Sequence, residues 1–322
     1  MTGPLVLAIP SKGRLKEQTE AWLGDCGLSL RAGGGARGYS GALEGLEDVQ
    51  VRLSSASDIA AALAGGEVHL GVTGEDLLAE LDPAAAAKTL LLRALGFGRA
   101  DLVVAAPRSW IDVATMADVD DVAHLTLARS ARRLRVATKY VQQTRAFFAR
   151  HAIADYRIVE SAGATEGAPA AGLAEIVVDI ATTGATLADN GLKPLDDGLI
   201  LRSQARLAAS LCADWDAERL AQALRLLAIV EGRALGKDTA SLTWPPEQDS
   251  IARAAMAPFI AAGAMARPHG ALAPMSELFA ASWALEKAGV GPVSVAQPAY
   301  VFDPKSDAAG RLTAALRALA IR

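Results

Sequence analysis

Residues that build metal sites and covalent cross-links are scarce in this 322-residue chain, which has two cysteines and four histidines. Cys26 and Cys212 lie far apart with no C-x-x-C spacing, which argues against a disulfide framework and against a zinc site. His69, His124, His151 and His269 show no metal-ligand spacing, and none stands in a nucleophile arrangement, so all four read as structural or surface residues. Aromatic residues supply only 5% of the chain against 52% hydrophobic residues overall. Much of that apolar share is alanine, which suits helices packed closely on sheets. The net charge is -4 and no Lys/Arg block stands out, so the chain lacks the electrostatic footprint of a nucleic-acid binder. No stretch reaches the roughly 20 apolar residues needed to cross a bilayer. The first ten residues have no basic n-region and too short an apolar run for an h-region, so they read as a first strand. The expectation is a cytoplasmic protein with neither nucleic acid nor membrane as partner.

What is present is alternation. At this length two or three domains are expected. Short β-rich apolar runs at Leu5–Ile9, Val49–Leu53 and His69–Val72 are each followed by a helical stretch, which predicts an α/β fold with parallel sheets. A second unit is expected to begin near Pro107, after a strand at Asp101–Ala105. It would continue through a strand at Arg135–Thr138, a helix at Gln143–His151 and strands at Arg157–Glu160 and Ile176–Ile180. After Asn190 the chain should return to the first lobe through Ile200–Ala209. This predicts two doubly wound lobes, 1–106 with 191–213 and 107–190, separated by a cleft at the strand ends. From Asp214 the texture changes to a long Ala/Leu helix and an element order β-α-β-α-β, so residues 214–322 are expected to form an α+β accessory domain.

Four segments carry candidate chemistry. Ile176–Leu187 is an apolar strand that runs into Thr182, Thr183, Gly184, Ala185 and Thr186 and then opens a helix. Such a turn presents backbone N–H groups and hydroxyls to an anion, with Asp179 placed to accept from ribose hydroxyls. Taken alone, it is equally an ordinary strand-turn-helix with Thr182 or Thr183 as N-cap. Glu166, among the small residues of 161–169, could orient a ribose, hold magnesium through water, or cap a helix. Lys12 and Arg14 follow the first strand and could pair with phosphates; the alternative is a solvated basic turn. Thr73 and Gly74 could admit a ligand or cap the next helix.

Six ordered segments together resemble the ATP phosphoribosyltransferase family. They are Ser-Lys-Gly-Arg-Leu (11–15), Leu-Gly-Val-Thr-Gly-Glu-Asp (70–76), Leu-Gly-Phe-Gly-Arg-Ala-Asp-Leu-Val-Val-Ala (95–105), Arg-Val-Ala-Thr-Lys-Tyr (135–140), Gly-Ala-Thr-Glu-Gly-Ala-Pro-Ala-Ala-Gly-Leu-Ala (163–174) and Asp-Ile-Ala-Thr-Thr-Gly-Ala-Thr-Leu-Ala-Asp-Asn-Gly-Leu (179–192). The resemblance covers roughly residues 4–212, and six motifs in order are far more specific than one glycine loop.

The resemblance implies a bilobed fold like that of periplasmic binding proteins and a reaction between ATP and phosphoribosyl pyrophosphate (PRPP). It implies that N1 of ATP attacks the ribose C1 carbon, that pyrophosphate leaves, and that Mg2+ is required. On this chain it places PRPP at Asp179, Glu166, Thr182, Thr183, Gly184, Ala185 and Thr186, ATP at Arg14, Thr73 and Gly74, and charge stabilisation at Lys12 and Arg14. No residue is directly assigned to the metal. One departure stands out: family members carry an arginine shortly before the Asp-Ile of the second helix, whereas here the nearest one before Asp58-Ile59 is Arg52. Long-form members carry a C-terminal ferredoxin-like domain that binds L-histidine as feedback inhibitor, and members of this length form dimers and hexamers. Short-form members borrow a synthetase-like subunit. The hundred or so residues after Cys212 favour the long form.

Overall fold

A computed structural model describes residues 3–32, 40–161, 163–182, 184–305 and 307–320. These fall into two compact units. The first runs to Ala21 and from Ser29 to Asp216; the second comprises Trp22–Leu28 and the chain from Ala217 on.

In order, the first unit contains β1 (Leu5–Pro10), α1 (Gly13–Asp25, whose last four residues are counted with the second unit), β2 (Leu30–Ala32), β3 (Ser40–Leu43), β4 (Leu46–Ser54), α2 (Ala56–Gly65), β5 (Leu70–Gly74), α3 (Glu75–Ala79), α4 (Pro83–Ala86) and β6 (Thr89–Ala94). It continues with β7 (Ala100–Pro107), α5 (Met116–Ser130), β8 (Leu134–Thr138), α6 (Val141–Arg150), β9 (Tyr156–Glu160), β10 (Ile176–Ala181), α7 (Ala185–Asp189), β11 (Leu192–Ser203) and β12 (Ala205–Ser210). The strands form two sheets, β2-β3-β4-β1-β5-β12-β6 and β11-β7-β10-β8-β9. The expected two α/β lobes are therefore present. Parallel pairing is confined to β4-β1-β5 in one sheet and β10-β8-β9 in the other, with antiparallel strands outside them.

Burial explains the apolar runs. On β7, Leu102, Val104 and Ala106 face one core with Phe148 and Tyr140, while Val103 and Ala105 face another with Val177 and Leu187. A strand covered on both faces needs a continuous hydrophobic run, not an alternating one. Phe148 is fully buried, and truncating such a side chain to alanine typically costs about 3–5 kcal/mol. Local chemistry marks the helix ends: Ser55 accepts from Asp58 N at 3.1 Å to start α2, and Thr115 with Asp118 forms a capping box for α5.

The lobe boundaries differ from expectation. β7 belongs to the second sheet, paired with β11 and β10, and not to the first. Pro107 ends a strand, as a residue with no N–H to donate does, and does not end a lobe. The stretch read as one returning strand, Ile200–Ala209, is divided at Gln204 between β11 in the second sheet and β12 in the first. The chain therefore crosses between sheets at 95–99 and at 204. The antiparallel ribbon β2-β3 was not anticipated either.

His69 is structural, as expected. Its Nδ1 accepts from Val6 N at 3.1 Å, its Nε2 lies 3.1 Å from the Asp214 carbonyl, and its ring meets Trp215 edge-on at 5.1 Å.

The second unit contains α8 (Ala217–Asp238), β13 (Thr239–Thr243), α9 (Asp249–Ala261), β14 (Met265–Arg267), β15 (Gly270–Pro274), α10 (Leu278–Lys287), β16 (Ser294–Ala296) and α11 (Asp307–Ala320). Its antiparallel sheet has the order β14-β15-β13-β16. Between α8 and α11 the elements run β-α-β-β-α-β, the ferredoxin-like order. Residues 264–274 hold a hairpin of two strands where the sequence suggested one. Leu242, Trp244, Met256 and Leu285 form the core, and Asp25 is tied to Arg233 at 2.8 Å and to Lys237. The accessory unit begins at Ala217 and includes 22–28, where 214–322 was expected. No helix among the described residues is long and apolar enough to cross a membrane.

Candidate active site

β10 is anchored by three fully buried residues, Ile176, Val177 and Val178, and Asp179 is the first to emerge from the core. The turn to α7 follows at once. Gly184 occupies the N-cap position of α7 in the left-handed region, φ 75° and ψ −6°, and gives no side-chain cap. Thr182 is therefore not the N-cap, which removes that form of the helix-capping alternative; Thr183 lies outside the described residues. A cavity of about 250 Å³ opens over this turn, lined by Glu166, Asp179, Thr182, Gly184 and Thr186 among others. Ala185 opens α7 but is not on that lining.

Asp179 accepts from Ile180 N at 2.8 Å. Burial raises its pKa above the ordinary aspartate value, and the Glu166 charge adds to that, while the Ile180 amide and Lys139 oppose it. Two carboxylates thus sense one another across a small polar cavity.

A larger cavity of about 590 Å³ is assembled from six chain segments, the β10–α7 turn among them. Arg14 comes from the first turn of α1, Ser57 from α2, Gly74 and Asp76 from the β5–α3 junction, Arg99 from the first crossing, and Lys139 and Tyr140 from the end of β8. Arg14 and Arg99 have no carboxylate partner among the described residues, and Lys139 Nζ lies 5.0 Å from the centre of the Tyr140 ring. Unpaired cations around a concavity favour a polyanionic ligand. A Cβ at Gly74 would press on the Asp76 carboxylate and force it to shift from its present position. A third cavity of about 430 Å³ is lined by Arg99, Asp101, Arg202 and Gln204. Thr182 lines all three cavities.

The cavities therefore gather Arg14, Gly74, Glu166, Asp179, Thr182, Gly184 and Thr186, as expected. Besides Ala185, two expected residues stay off all three linings. Thr73 is fully buried and lines none of the three cavities; its hydroxyl donates to the Ala56 carbonyl at 2.7 Å and so ties β5 to the start of α2. Lys12 lines none of the three cavities; α1 begins at Gly13, which leaves Lys12 in the preceding turn and puts Arg14, itself exposed, in the first turn of α1 on the lining of the larger cavity. Nor does Arg52 replace the missing arginine: it pairs with Glu67 at 3.5 Å, away from these linings. The residues not assigned from sequence are Asp76, Arg99, Lys139, Tyr140 and Arg202. Four of them lie inside the segments that carry the family resemblance, immediately beyond or at a strand end.

Three cavities meeting at one threonine, one built on a small-residue turn and two on arginines, suit phosphorylated ligands held side by side at the strand ends of an α/β cleft. The fold and site thus define a two-lobed protein that handles phosphorylated small molecules. The family model for HisG, ATP phosphoribosyltransferase, matches residues 55–228. The ATP phosphoribosyltransferase of Caulobacter vibrioides (strain NA1000 / CB15N) is 62% identical over 317 residues, covering 98% of this chain and 99% of the relative. That of Bradyrhizobium sp. (strain ORS 278) is 50% identical, covering 98% and 100%. The chain belongs to the ATP phosphoribosyltransferase family, the pentosyltransferases that carry out the first step of histidine biosynthesis. A solved structure, the ATP phosphoribosyl transferase (HisG:HisZ) complex from Thermotoga maritima, aligns with a TM-score of 0.54 at 23% identity, covering 70% of this chain and 96% of that one, a likeness of fold.

Proposed function

We propose that PRPP binds with its 5'-phosphate over the turn Thr182–Thr186 and its ribose hydroxyls on Asp179, and that ATP occupies the larger cavity beside Arg14 and Gly74. The observation that carries this reading is the position of Thr182. A ligand seated over the turn is next to both arginine-lined cavities, so its reactive carbon can face the second substrate. In the displacement, the N1 lone pair of ATP forms the bond to C1 of the ribose while the C1–O bond breaks and its electron pair leaves with pyrophosphate. The carbon passes through oxocarbenium character, so the protein's work is to align two ligands and neutralise the leaving group. Arg14 and Arg99 supply that positive charge, and no protein nucleophile is needed.

Mg2+ is part of the proposal. Among the described residues no group of three or more His, Cys, Asp or Glu could hold a metal by itself. Magnesium commonly binds through one or two carboxylates plus substrate phosphates, and Glu166 on the small cavity fits that donor set through water. When bound, the ion would neutralise pyrophosphate charge. The second unit's ferredoxin-like order supports the long form, with L-histidine as feedback inhibitor and assembly as a dimer or hexamer.

Purified chain mixed with ATP, PRPP and Mg2+ should form phosphoribosyl-ATP, followed by the change in ultraviolet absorbance. Product only after addition of a synthetase-like subunit would overturn the self-sufficient form. No product in either case would overturn the substrate assignment. Titrating the same assay with histidine should give inhibition, and an unresponsive enzyme removes the inhibitor from the proposal.

A further inference from the structure

We infer that Asp76 and Tyr140 are positioning residues, and that the hydrogen bond between them holds the two walls of the larger cavity at the separation the displacement needs. This rests on reading that cavity as the place where the two substrates meet.

Asp76 sits in the first turn of α3, on the side of the seven-stranded sheet, with only 7% of its surface exposed. A buried carboxylate must have its acceptor sites filled. The Tyr140 hydroxyl donates to Oδ2 at 2.7 Å and the Ser203 hydroxyl donates to Oδ1 at 2.8 Å, while Ser203 Oγ accepts from Asp76 N at 3.0 Å. Tyr140 follows the end of β8 by two residues and Ser203 ends β11, both strands of the five-stranded sheet. Each oxygen of one buried carboxylate from the first lobe thus accepts from a hydroxyl of the second.

The surrounding contacts act in the same direction. α6 has no side-chain cap from its own N-cap residue, Tyr140. Glu80, at the end of α3, fills that role across the lobes, accepting from Gln142 N at 2.8 Å and Gln143 N at 3.2 Å. Gln143 Nε2 donates back to the Asp76 carbonyl at 2.9 Å. The chain crossings themselves form a short ladder, Leu95 N to Ala205 O at 3.0 Å, Ala205 N to Phe97 O at 2.9 Å and Gly96 N to Gln204 Oε1 at 3.2 Å. A joint of two short crossings leaves a rotation between lobes, and a third attachment through different residues removes it. Asp76 and Tyr140 also line the cavity, to which the first lobe contributes Arg14 and the second Lys139 and Thr182. The bond therefore sets the gap across which one bound ligand must approach the other, where a misplacement of about 1 Å can cost about 100-fold in rate.

Tyr140→Phe in the full chain deletes the hydroxyl and keeps the ring. We expect kcat, referred to the concentration of PRPP-binding sites measured by calorimetry, to fall about 10- to 100-fold, with Kd for ATP and for PRPP each within about twofold of wild type. Ser203→Ala, which removes the other partner of Asp76, should show the same split and keeps the test available if Tyr140→Phe does not fold. An unchanged kcat per binding site with a lowered Tm would overturn the inference in favour of a purely structural bond. Parallel losses in both Kd values would overturn it in favour of direct ligand contacts. Wild-type protein that binds both ligands but forms no product, with or without a synthetase-like subunit, removes the underlying reading, and this inference with it.

Discussion

The small cavity over the β10–α7 turn and the larger cation-lined cavity beside it recognise charge in different ways. The first is built largely from one stretch of chain, with a strand end, a hydroxyl, a left-handed glycine and one carboxylate within eight residues, joined by Glu166. The second takes its charged groups from separate segments, Arg14 in the first turn of α1, Arg99 just before β7 and Lys139 just after β8. A ligand held by a local turn can be seated by whatever sets that turn's backbone. A ligand held by scattered cations depends on the whole unit being folded and on the gap between its lobes. On the proposed placement of the substrates, the difference separates where PRPP is anchored from where the reaction's charge is handled.

The sharpest way to break this comparison is to remove charge from the larger cavity. Arg14→Ala should lower kcat/KM about 100- to 1000-fold in the phosphoribosyl-ATP assay, the range for losing one positioned electrostatic group. Lys12→Ala, two residues away but off the linings, should change it less than about twofold. Equal losses in the two variants would dissolve the distinction between them.

A smaller effect is expected at the turn. Asp179→Asn should raise KM for PRPP about 10- to 100-fold, since a hydrogen bond to a charged group is typically worth about 1.5–3 kcal/mol, and should leave KM for ATP nearly unchanged. Its effect on stability should have the opposite sign. Burial raises the pKa of Asp179, so its ionised form opposes folding. As pH falls through that raised value, the carboxyl protonates and the folded state gains relative to the unfolded chain; as pH rises, that gain is lost. The asparagine variant should therefore melt higher than wild type at neutral pH, and the two melting curves should converge on acidification. A variant that melts lower at neutral pH would show that the charge supports the fold.

The smallest effect is expected at Thr73. Thr73→Val removes the bond to Ala56 O and should cost about 1 kcal/mol of stability, read as a lowered Tm, with both KM values unchanged. A raised KM for ATP would return this residue to the nucleotide site.

The alternation of strands and helices was legible because burial on both faces of a sheet demands unbroken apolar runs such as Leu102–Ala106, and because caps such as Ser55 act within one turn. The turn at Thr182–Thr186 was legible for the same reason, since its parts are neighbours in the chain. The lobe boundary was not. Pro107 carries a strong local signal, but that signal concerns one missing N–H at a strand end. Which sheet β7 joins depends on β10 and β11, more than 60 residues later. Likewise nothing local at Gln204 announces that β11 and β12 pair with different sheets.

By itself the sequence determined the α/β class, the family and the turn between β10 and α7, because each follows from residues adjacent in the chain or from motifs in a set order. Tertiary structure alone decided that Arg14 and not Lys12 faces the cavity, and that Thr73 is spent on Ala56. It also brought Arg99, Lys139 and Tyr140 to the same space, and it placed Asp76 against partners 64 and 127 residues away. Those choices depend on where strand ends converge when two sheets are joined by two crossings. No window of sequence contains that convergence.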